Sequence, residues 1–546
     1  MNDILLQCLQ NLTTGFFLRG GGEEHTKIGD LMVTYVKSCV QSGAGADIIS
    51  VECDMSFGIP GLTIVGLPDA SVKESRERLR AAIINSGYDY PTDKRIIINL
   101  APADTRKEGT HLDLAMALCL MTCAEGIDGS NNKNTAVIGE LSLDGKVNPV
   151  RGILPLCIGL RQEGIRRVIV PVDNIKDVEI VEDMDFFPVS FFREAFLYFK
   201  GELKIEAING KRPDPGLGAE EFTDDFSEVR GRNEAKRVIE ISVSGFHHLL
   251  MSGPPGCGKS MMAKRIYTVL PGMTYEEMLE VTKLYSLYGF ENNEGGLIFR
   301  RPFRAPSTTT SVAAMIGGGS GIPKPGEITL SHLGVLFLDE IPEFRRDVLE
   351  ALRQPLEDEK VTMSRSGGKI TFPAKFVLVG ARNPCPCGYY GDVRKTCRCT
   401  PNQIRHYRDR LSGPIMDRFD LFIDLHADSP DPGEAEKKIK DISSAEMRAR
   451  IEKARAIQEE RYKPEEISYN SQLTGAALKK YCHLDGEAKE LYRQGCEALK
   501  VSRRGGDKVL RVARTIADIE GEERIGAAHI GEALQYRRRD EEYQKI

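Results

Sequence analysis

Three groups of residues in this chain have types and spacings that could do phosphate chemistry. The first is the run at 253–260, which fits the pattern G-x-x-x-x-G-K-[ST] between an apolar run, 248–252, and a helical pattern, 261–270. In that setting glycines let backbone N–H groups turn towards phosphate oxygens, and the start of the following helix adds positive charge. We therefore predict a loop that binds the phosphates of ATP, formed by Gly253, Pro254, Pro255, Gly256, Cys257, Gly258, Lys259 and Ser260.

Two carboxylates form the second group. Asp339 and Glu340 follow a run of four apolar residues, 335–338, which is typical of a buried parallel strand. Placed beside a phosphate loop, Lys259 would reach the β and γ phosphates, and Ser260 and Asp339 would bind Mg²⁺. Glu340 would then polarise the attacking water. For each motif taken alone, a plain glycine loop or a solvated Asp-Glu turn is the alternative.

Asn383 is the third candidate. It comes shortly after another apolar run, 375–380. A polar side chain at that strand end could hydrogen-bond the γ-phosphate or the attacking water, although Asn-Pro is also an ordinary turn signal. We predict that Asn383 senses the nucleotide.

A cysteine-rich stretch begins at this asparagine. Its four thiolates are enough for a tetrahedral Zn²⁺ site, and the nine residues between the two pairs include two glycines, which would let the chain fold back. Unligated reduced thiols or a redox-labile pair are the alternatives. We predict a structural zinc clip that holds the loop after Asn383, with the ligands Cys385, Cys387, Cys397 and Cys399.

The elements that must position these residues divide the chain into five segments. Residues 1–30 form an N-terminal extension, and translation from Met32 is an equal alternative. Short strands and helices alternate over 31–205, a Pro/Gly-rich and acidic linker covers 206–225, and a strand-loop-helix region covers 226–430. From 431 to 546 the pattern is helical and charged.

The composition limits the classes of protein that fit. The 546 residues are 41% hydrophobic and carry a formal net charge of −6, so any contact with nucleic acid must come from local basic patches. No apolar run is long enough to span a membrane, and no signal peptide is recognisable. Thirteen scattered cysteines are typical of reduced thiols, so we expect a cytoplasmic protein without a membrane partner.

Over residues 32–539 the chain resembles the magnesium-chelatase-like AAA+ ATPases, and within them the YifB/ComM group. The segments that carry the resemblance are 65–78, 99–104, 323–344, 412–420 and 512–518. It implies an α/β fold: a P-loop AAA+ domain with a helical lid, preceded by an α+β domain like domain 2 of ribosomal protein S5 and the Lon protease domain.

The resemblance also implies a ring of identical subunits, a hexamer, with ATP between neighbours. Arg418, in the run Asp-Arg-Phe-Asp, matches the arginine finger that reaches the neighbour's γ-phosphate. Its alternative is a surface ion pair. Arg504 matches the second sensor arginine. The local sequence departs from the group there, which makes Arg503 a possible substitute.

Two further elements would line the pore of such a ring. The group is similar to ring helicases that carry an insertion, here at 296–334, and a hairpin at 361–372 is also indicated by alternation around a Gly-Gly turn. Their basic residues could grip DNA phosphates without reading sequence, and an ordinary charged surface is the alternative. Ser307 and Thr308 stand where the group has two histidines. The basic residues are Arg300, Arg301, Arg304, Lys324, Arg365 and Lys369.

The Lon-like domain raises the possibility of a protease. His111 stands where the nucleophilic serine would be, and Leu156 where the lysine would be. Without that dyad no Ser–Lys protease is possible, and we expect a scaffold or substrate-contact domain.

These observations favour an ATP-driven DNA motor. The ComM group is associated with branch migration of incoming DNA in natural transformation. The alternative is a metal-insertase motor like the small subunit of magnesium chelatase, which is expected to lack the N-terminal domain. A non-catalytic scaffold is the third class, and the set of nucleotide-site residues argues against it.

Overall fold

The computed structural model describes residues 34–537, except 43–44, 128–131, 133, 214–221, 290–295, 320–322, 366–367, 393–394 and 427–440. The expected N-terminal extension and the alternative start at Met32 lie outside the described residues, as does the expected boundary at 430. Among the described residues no helix combines the length and apolarity needed to cross a bilayer.

The N-terminal unit is built on a mixed sheet of eight strands, in the order β10-β9-β8-β5-β1-β2-β4-β3. Two further strands, β6 and β7, pair with each other. Its strands are β1 (Thr34–Ser42), β2 (Gly45–Ser56), β3 (Gly61–Val65), β4 (Arg95–Ala101), β5 (Thr135–Val137), β6 (Glu140–Leu141), β7 (Val147–Asn148), β8 (Arg167–Pro171), β9 (Asp185–Val189) and β10 (Ile208–Asn209).

Helices cover this sheet because alternate strand residues and whole helix faces are apolar. In β4, Ile96, Ile98 and Leu100 point into the core while their neighbours are partly exposed. The sheet continues through β10, a few residues past the boundary at 205 that the sequence suggested. The helices are α1 (Ala70–Asn85), α2 (Asp113–Ala124), α3 (Ile153–Gln162), α4 (Ile175–Val178) and α5 (Phe192–Lys200).

The central unit contains a five-stranded parallel sheet in the order β12-β15-β18-β11-β19. In an open parallel sheet, ligands bind at the carboxyl ends of the strands. Two hairpins, β13–β14 and β16–β17, stand outside it. The strands are β11 (Leu249–Ser252), β12 (Phe303–Arg304), β13 (Gly317–Gly318), β14 (Lys324–Pro325), β15 (Val335–Leu338), β16 (Lys360–Arg365), β17 (Gly368–Pro373), β18 (Val377–Arg382) and β19 (Leu421–Asp424).

Short helices surround this sheet. The helix predicted over 261–270 is shorter than expected, because α7 ends at Arg265 and a 3-10 turn, Ile266–Thr268, leads to Pro271. The hairpin predicted at 361–372 is present as β16–β17. The helices are α6 (Asn233–Gly245), α7 (Lys259–Arg265), α8 (Tyr275–Tyr288), α9 (Val312–Ile316), α10 (Glu327–Leu330), α11 (Arg346–Ala351), α12 (Pro355–Asp358), α13 (Pro401–Arg408) and α14 (Gly413–Met416).

The C-terminal part is helical, as predicted, and shares one hydrophobic core with α6 and the parallel sheet. The predicted α/β fold with a helical lid region is therefore confirmed. The helices are α15 (Ser444–Tyr462), α16 (Gly475–Tyr481), α17 (Gly486–Ala498), α18 (Arg503–Glu520) and α19 (Ala527–Gln535).

The N-terminal unit packs directly on α8 of the central unit. Tyr275 and Leu279 are buried in the same cluster as residues of α3, β8 and β9. The Tyr275 hydroxyl donates to the carbonyl of Ile180 at 2.8 Å and accepts from the amide of Glu182 at 3.0 Å. A buried, hydrogen-bonded side chain thus joins the two units.

Candidate nucleotide site

The phosphate loop connects β11 to α7 at the carboxyl edge of the parallel sheet. Gly256 and Gly258 have φ values of 79° and 89°, the left-handed region in which glycine is least strained. The Lys259 side chain is buried, and its Nζ donates to the carbonyls of Gly253 at 2.7 Å and Pro254 at 3.0 Å. The loop therefore curls around the ammonium group, as a phosphate-binding loop requires.

The predicted magnesium ligands are in contact. The Ser260 hydroxyl donates to Asp339 Oδ2 at 2.6 Å. Asp339 follows β15 directly, and Ser260 is the second residue of α7. A hydroxyl and a carboxylate at this position suit Mg²⁺, which prefers oxygen ligands and one or two carboxylates beside phosphate. The residues therefore fit a magnesium–nucleotide complex.

Glu340 has an unusual backbone. Its φ of 48° and ψ of 44° lie in the left-handed region, and its amide donates to Asp339 Oδ1 at 2.9 Å. Such conformations are uncommon for residues other than glycine and concentrate at functional sites. Asp339 accepts from both the Ser260 hydroxyl and the Glu340 amide, so the two neighbouring carboxylates have different surroundings, which suits one metal ligand and one residue that orients water.

The structure brings Asn383 into the same site. It follows β18 directly, and its Oδ1 accepts from Lys259 Nζ at 3.2 Å. β18 lies between β15 and β11 in the sheet, so its end falls between the carboxylates and the phosphate loop. The predicted third strand begins and ends two residues later than expected, which places Asn383 closer to the strand end.

The four cysteines also meet. Cys385 Sγ lies 3.4 Å from Cys387 Sγ and 3.7 Å from Cys397 Sγ, and Cys387 Sγ lies 3.6 Å from Cys397 Sγ. All four sulfurs, including that of Cys399, lie within 4.8 Å of one another. Sulfurs at zinc–sulfur distances of about 2.3 Å in a tetrahedron are about 3.8 Å apart, so the arrangement fits one metal ion.

Backbone amides surround these sulfurs. The amide of Cys399 donates to Cys397 Sγ at 3.4 Å. Burial opposes the ionisation of Cys387, but hydrogen bonds from the amides of Arg398 and Tyr389 outweigh it and lower the pKa of this thiol to about 6. Amide donors favour the thiolate, which is the form that binds metal.

Arg418 and Arg504 lie on opposite sides of one carboxylate. An Arg418 guanidinium nitrogen is 2.7 Å from Glu357 Oε2, and an Arg504 nitrogen is 3.6 Å from Glu357 Oε1. Arg418 Nε is enclosed and has no hydrogen-bond partner among the described residues. The two predicted arginines thus share one face, beside a cavity of about 530 Å³ that they line together.

A buried ion pair that sequence reasoning missed fixes the lid to this face. Lys508 of α18 lies 3.0 Å from Asp420 Oδ1 and donates to the carbonyls of Asp417 and Phe419. These residues flank Arg418, so α18 and the arginine-bearing segment are held together. The run Asp-Arg-Phe-Asp indicated this segment in the sequence, but no motif or spacing predicted Lys508 as its partner.

Two of the six basic residues predicted to line a pore make ion pairs within the fold. The prediction is wrong for Arg301, which is buried and donates to the carbonyls of Pro271, Gly272 and Leu333 and to Glu277. Arg304 makes a two-point ion pair with Glu327.

Of the other four basic residues, the structure describes the side chains of two. The Arg300 guanidinium lies over the Phe222 ring at 4.6 Å. Lys324 is exposed, on the β13–β14 hairpin. The side chains of Arg365 and Lys369, on β16–β17, lie outside the described residues.

The position expected to hold a protease nucleophile is internal. His111 is half-buried, its Nε2 lies 2.9 Å from the carbonyl of Cys39, and desolvation lowers its pKa. Leu156 is buried. Both residues have structural surroundings, in agreement with a domain that lacks a Ser–Lys dyad.

Family models match three successive parts of the chain. The model described as "Magnesium chelatase, subunit ChlI" matches residues 225–431. The model described as "Subunit ChlI of Mg-chelatase" matches 51–174, and "Magnesium chelatase, subunit ChlI C-terminal" matches 441–537. The three matches fall on the N-terminal unit, the parallel-sheet unit and the helical lid.

Long relatives cover nearly the whole chain. YifB of Escherichia coli is 40% identical over 497 residues, which are 91% of this chain and 95% of that protein. The competence protein ComM of Haemophilus influenzae is 37% identical over 515 residues, 93% of this chain and 98% of that protein. A Lon protease of Brevibacillus choshinensis is 28% identical over 162 residues, 28% of this chain and 20% of that protein.

Proposed function

This chain belongs to the YifB/ComM group of magnesium-chelatase-like AAA+ ATPases, and we propose that it is an ATP-hydrolysing ring motor that acts on DNA. The observation that carries the proposal is the meeting of Lys259, Asn383 and the Ser260–Asp339 pair at the carboxyl edge of one parallel sheet. Membership of the family implies ATP and Mg²⁺ as ligands.

The chain's own residues divide the work of hydrolysis. Lys259 and the loop amides hold the phosphates, and Ser260 and Asp339 hold the magnesium ion, which neutralises phosphate charge when bound. Glu340 orients the attacking water and accepts its proton, and Asn383 fixes the position of that water or of the γ-phosphate. Positioning and charge account for most of the catalysis in this kind of reaction.

A neighbouring subunit completes the site. Arg418 lies on the face that carries Glu357 and Arg504, and its contacts are with Glu357 rather than with the phosphate loop. In a ring this guanidinium reaches the ATP of the adjacent copy, which makes hydrolysis depend on assembly. We propose a hexamer, with Arg504 facing the same neighbour.

DNA is the proposed substrate of the motor. In the proposed ring, the hairpin β16–β17 and the exposed Lys324 would line the pore, where basic side chains would bind phosphates irrespective of base sequence. ComM of Haemophilus influenzae is named a competence protein. We therefore propose branch migration during uptake of DNA as the cellular role.

The DNA proposal predicts that hydrolysis is stimulated by DNA through the β16–β17 hairpin. Exchanging Arg365 and Lys369 for glutamine should remove most of the stimulation by single-stranded and forked DNA, since phosphate contacts supply nonspecific affinity. The basal rate without DNA should stay within about twofold, because neither residue belongs to the nucleotide site. The measurement is the steady-state release of phosphate with and without each DNA.

A metal-insertase motor is the second candidate. All three matching family models carry magnesium-chelatase names, and one of them matches residues 51–174. We expected the N-terminal unit to argue against this candidate, and this match removes that argument. Failure of every DNA to change the hydrolysis rate would favour it over the DNA motor.

The cysteine cluster completes the proposal. Four thiolates in a tetrahedron select soft or borderline metals such as zinc over magnesium and calcium. We propose that Zn²⁺ occupies this site, separately from the Mg²⁺ of the nucleotide.

A further inference from the structure

The cysteine-rich loop packs against the phosphate loop, a contact that the sequence did not suggest. Gly388 has a φ of 83°, and a Cβ added to it would lie 2.6 Å from Pro255 Cδ and 2.7 Å from Pro255 Cγ. Pro255 is in the middle of the phosphate loop. Only a residue without a side chain allows the two loops to approach this closely.

The turn at Gly388 is built from the metal ligands themselves. Cys385, Pro386, Cys387 and Gly388 form a β-turn in which the Cys385 carbonyl accepts from the Gly388 amide at 2.9 Å. Proline in the second position favours such a turn. Because two of the four sulfurs belong to this turn, a bound metal would fix the position of Gly388 against Pro255.

The other end of the loop is tied to the strand that carries Asn383. Arg408 of α13 donates from Nε and from a terminal nitrogen to the Pro384 carbonyl, at 3.4 and 3.3 Å. Helix α13 begins at Pro401, and its N-cap, Thr400, follows Cys399 directly. The cysteine loop is therefore connected to the nucleotide site at two places. Gly388 packs against Pro255, and Pro384, which follows Asn383 in the chain, accepts hydrogen bonds from Arg408.

We propose that a zinc-class ion in the four-cysteine site acts as a strut that holds the phosphate loop, so that its loss weakens nucleotide binding although no sulfur touches the nucleotide. This inference rests on the proposed nucleotide site and adds a structural requirement to it. Misplacement of a binding loop by an ångström can lower reaction rates by roughly a hundredfold.

The test separates the contact from the metal. Gly388→Ala adds a methyl group that must push the cysteine loop away from Pro255. The substitution removes none of the four cysteines, so all the metal ligands are still present. Gly391→Ala is the matched control, because Gly391 has a similar φ of 80° but nothing within 4 Å of an added Cβ. Both variants carry the same backbone strain, and only one disturbs the contact.

Full-length wild-type protein should contain about one zinc ion per chain by mass spectrometry, as one tetrahedral site requires. Gly388→Ala should keep its zinc and bind a fluorescent ATP analogue roughly tenfold more weakly, since a displaced loop loses phosphate contacts. Gly391→Ala should bind it as the wild type does. Equal affinities of the two variants would overturn the strut, and so would wild-type protein without zinc and with four freely reactive thiols.

A second measurement does not depend on hydrolysis. Removal of zinc by a chelator, without nucleotide, should speed amide hydrogen exchange in residues 253–260 and leave β1 and β2 unchanged. Unchanged exchange in the phosphate loop would overturn the inference. If the wild type binds no nucleotide the proposed function fails, yet the exchange experiment still decides whether the metal supports the loop.

Discussion

Single side chains at the nucleotide site have surroundings that assign them separate tasks. Glu340 differs from its neighbour Asp339 in its left-handed backbone, and only Asp339 accepts the hydrogen bond of the Ser260 hydroxyl. Lys259 is enclosed by carbonyls and the Asn383 amide oxygen. These surroundings support the proposed division between phosphate binding by Lys259 and activation of water by Glu340.

Glu340→Gln should leave ATP binding intact and lower the rate of hydrolysis by roughly 10²–10⁴-fold, the usual contribution of a general base. The amide has the same shape but cannot take a proton. Single-turnover hydrolysis and ATP affinity are the measurements. Glu343→Gln is the control, because Glu343 is paired with Arg410 on the surface. A Glu340→Gln protein that hydrolyses ATP at the normal rate would contradict the assignment.

Residues close together in a motif could be predicted from the sequence, because their spacing alone fixes their neighbourhood. This holds for Lys259 and Ser260, and for the four cysteines. Charge patterns were less informative, since they do not tell whether a guanidinium faces inward. Arg301 was expected at a pore and instead binds three backbone carbonyls.

Contacts between segments far apart in the chain could not be predicted. Gly388 and Pro255, like Lys508 and Asp420, meet only because the parallel sheet and the lid fold together. No motif, spacing or periodicity indicates that the members of each pair are in contact.

Among the elements, the junction of β11, β19 and α18 carries two neighbouring histidines, the buried His247 and the half-buried His248. Burial lowers the pKa of His247 and of His248 to about 4 in each case. The His248 Nδ1 accepts from the Leu378 amide of β18, and His247 Nε2 is 2.8 Å from the Thr515 hydroxyl of α18. The charged groups that act on them are Asp420, Lys508, Arg511 and Arg418.

This junction should lose stability in mild acid. The folded-state pKa values lie below the unfolded value of about 6.5, so the unfolded chain binds protons first as the pH falls from about 6.5 to 4. Each histidine should lower the free energy of unfolding by about 1–2 kcal/mol between pH 7 and pH 5. Urea unfolding of the central unit at several pH values measures it.

The slope of stability against pH identifies the residues responsible. His247→Asn should reduce the slope by about half, whatever it does to absolute stability, because one of two titrating groups is gone. His406→Gln is the control, since His406 is exposed on α13. A slope that is the same in all three proteins would contradict the prediction.

At the scale of the whole molecule, the N-terminal unit and the central unit share a hydrophobic cluster. Tyr275 is 4% exposed and places its hydroxyl between the Ile180 carbonyl and the Glu182 amide. Helix α8 also leads into the 296–334 region that was predicted as an insertion. Helix α8 therefore connects the eight-stranded sheet directly to the central unit.

Tyr275→Phe should weaken this connection by about 1–3 kcal/mol, because a buried amide and a buried carbonyl lose their partner. Faster hydrogen exchange at the interface segments β9 and α8 is the measurement. Glu276→Gln is the control. It removes only the exposed pair with Arg161, which is worth less than about 1 kcal/mol. Equal effects of the two substitutions would show that the hydroxyl does not hold the units together.

The shared contact of Arg418 and Arg504 with Glu357 has a consequence for how copies meet. In a lone chain both guanidinium groups already face a negative charge, and Glu357 is half exposed to solvent, so separating such a pair costs about 1 kcal/mol or less. An approaching triphosphate, with several charges, competes easily against one carboxylate. In the proposed ring, Glu357 would therefore be an exchangeable partner of Arg418 and Arg504, replaced by the triphosphate of the neighbouring copy on assembly.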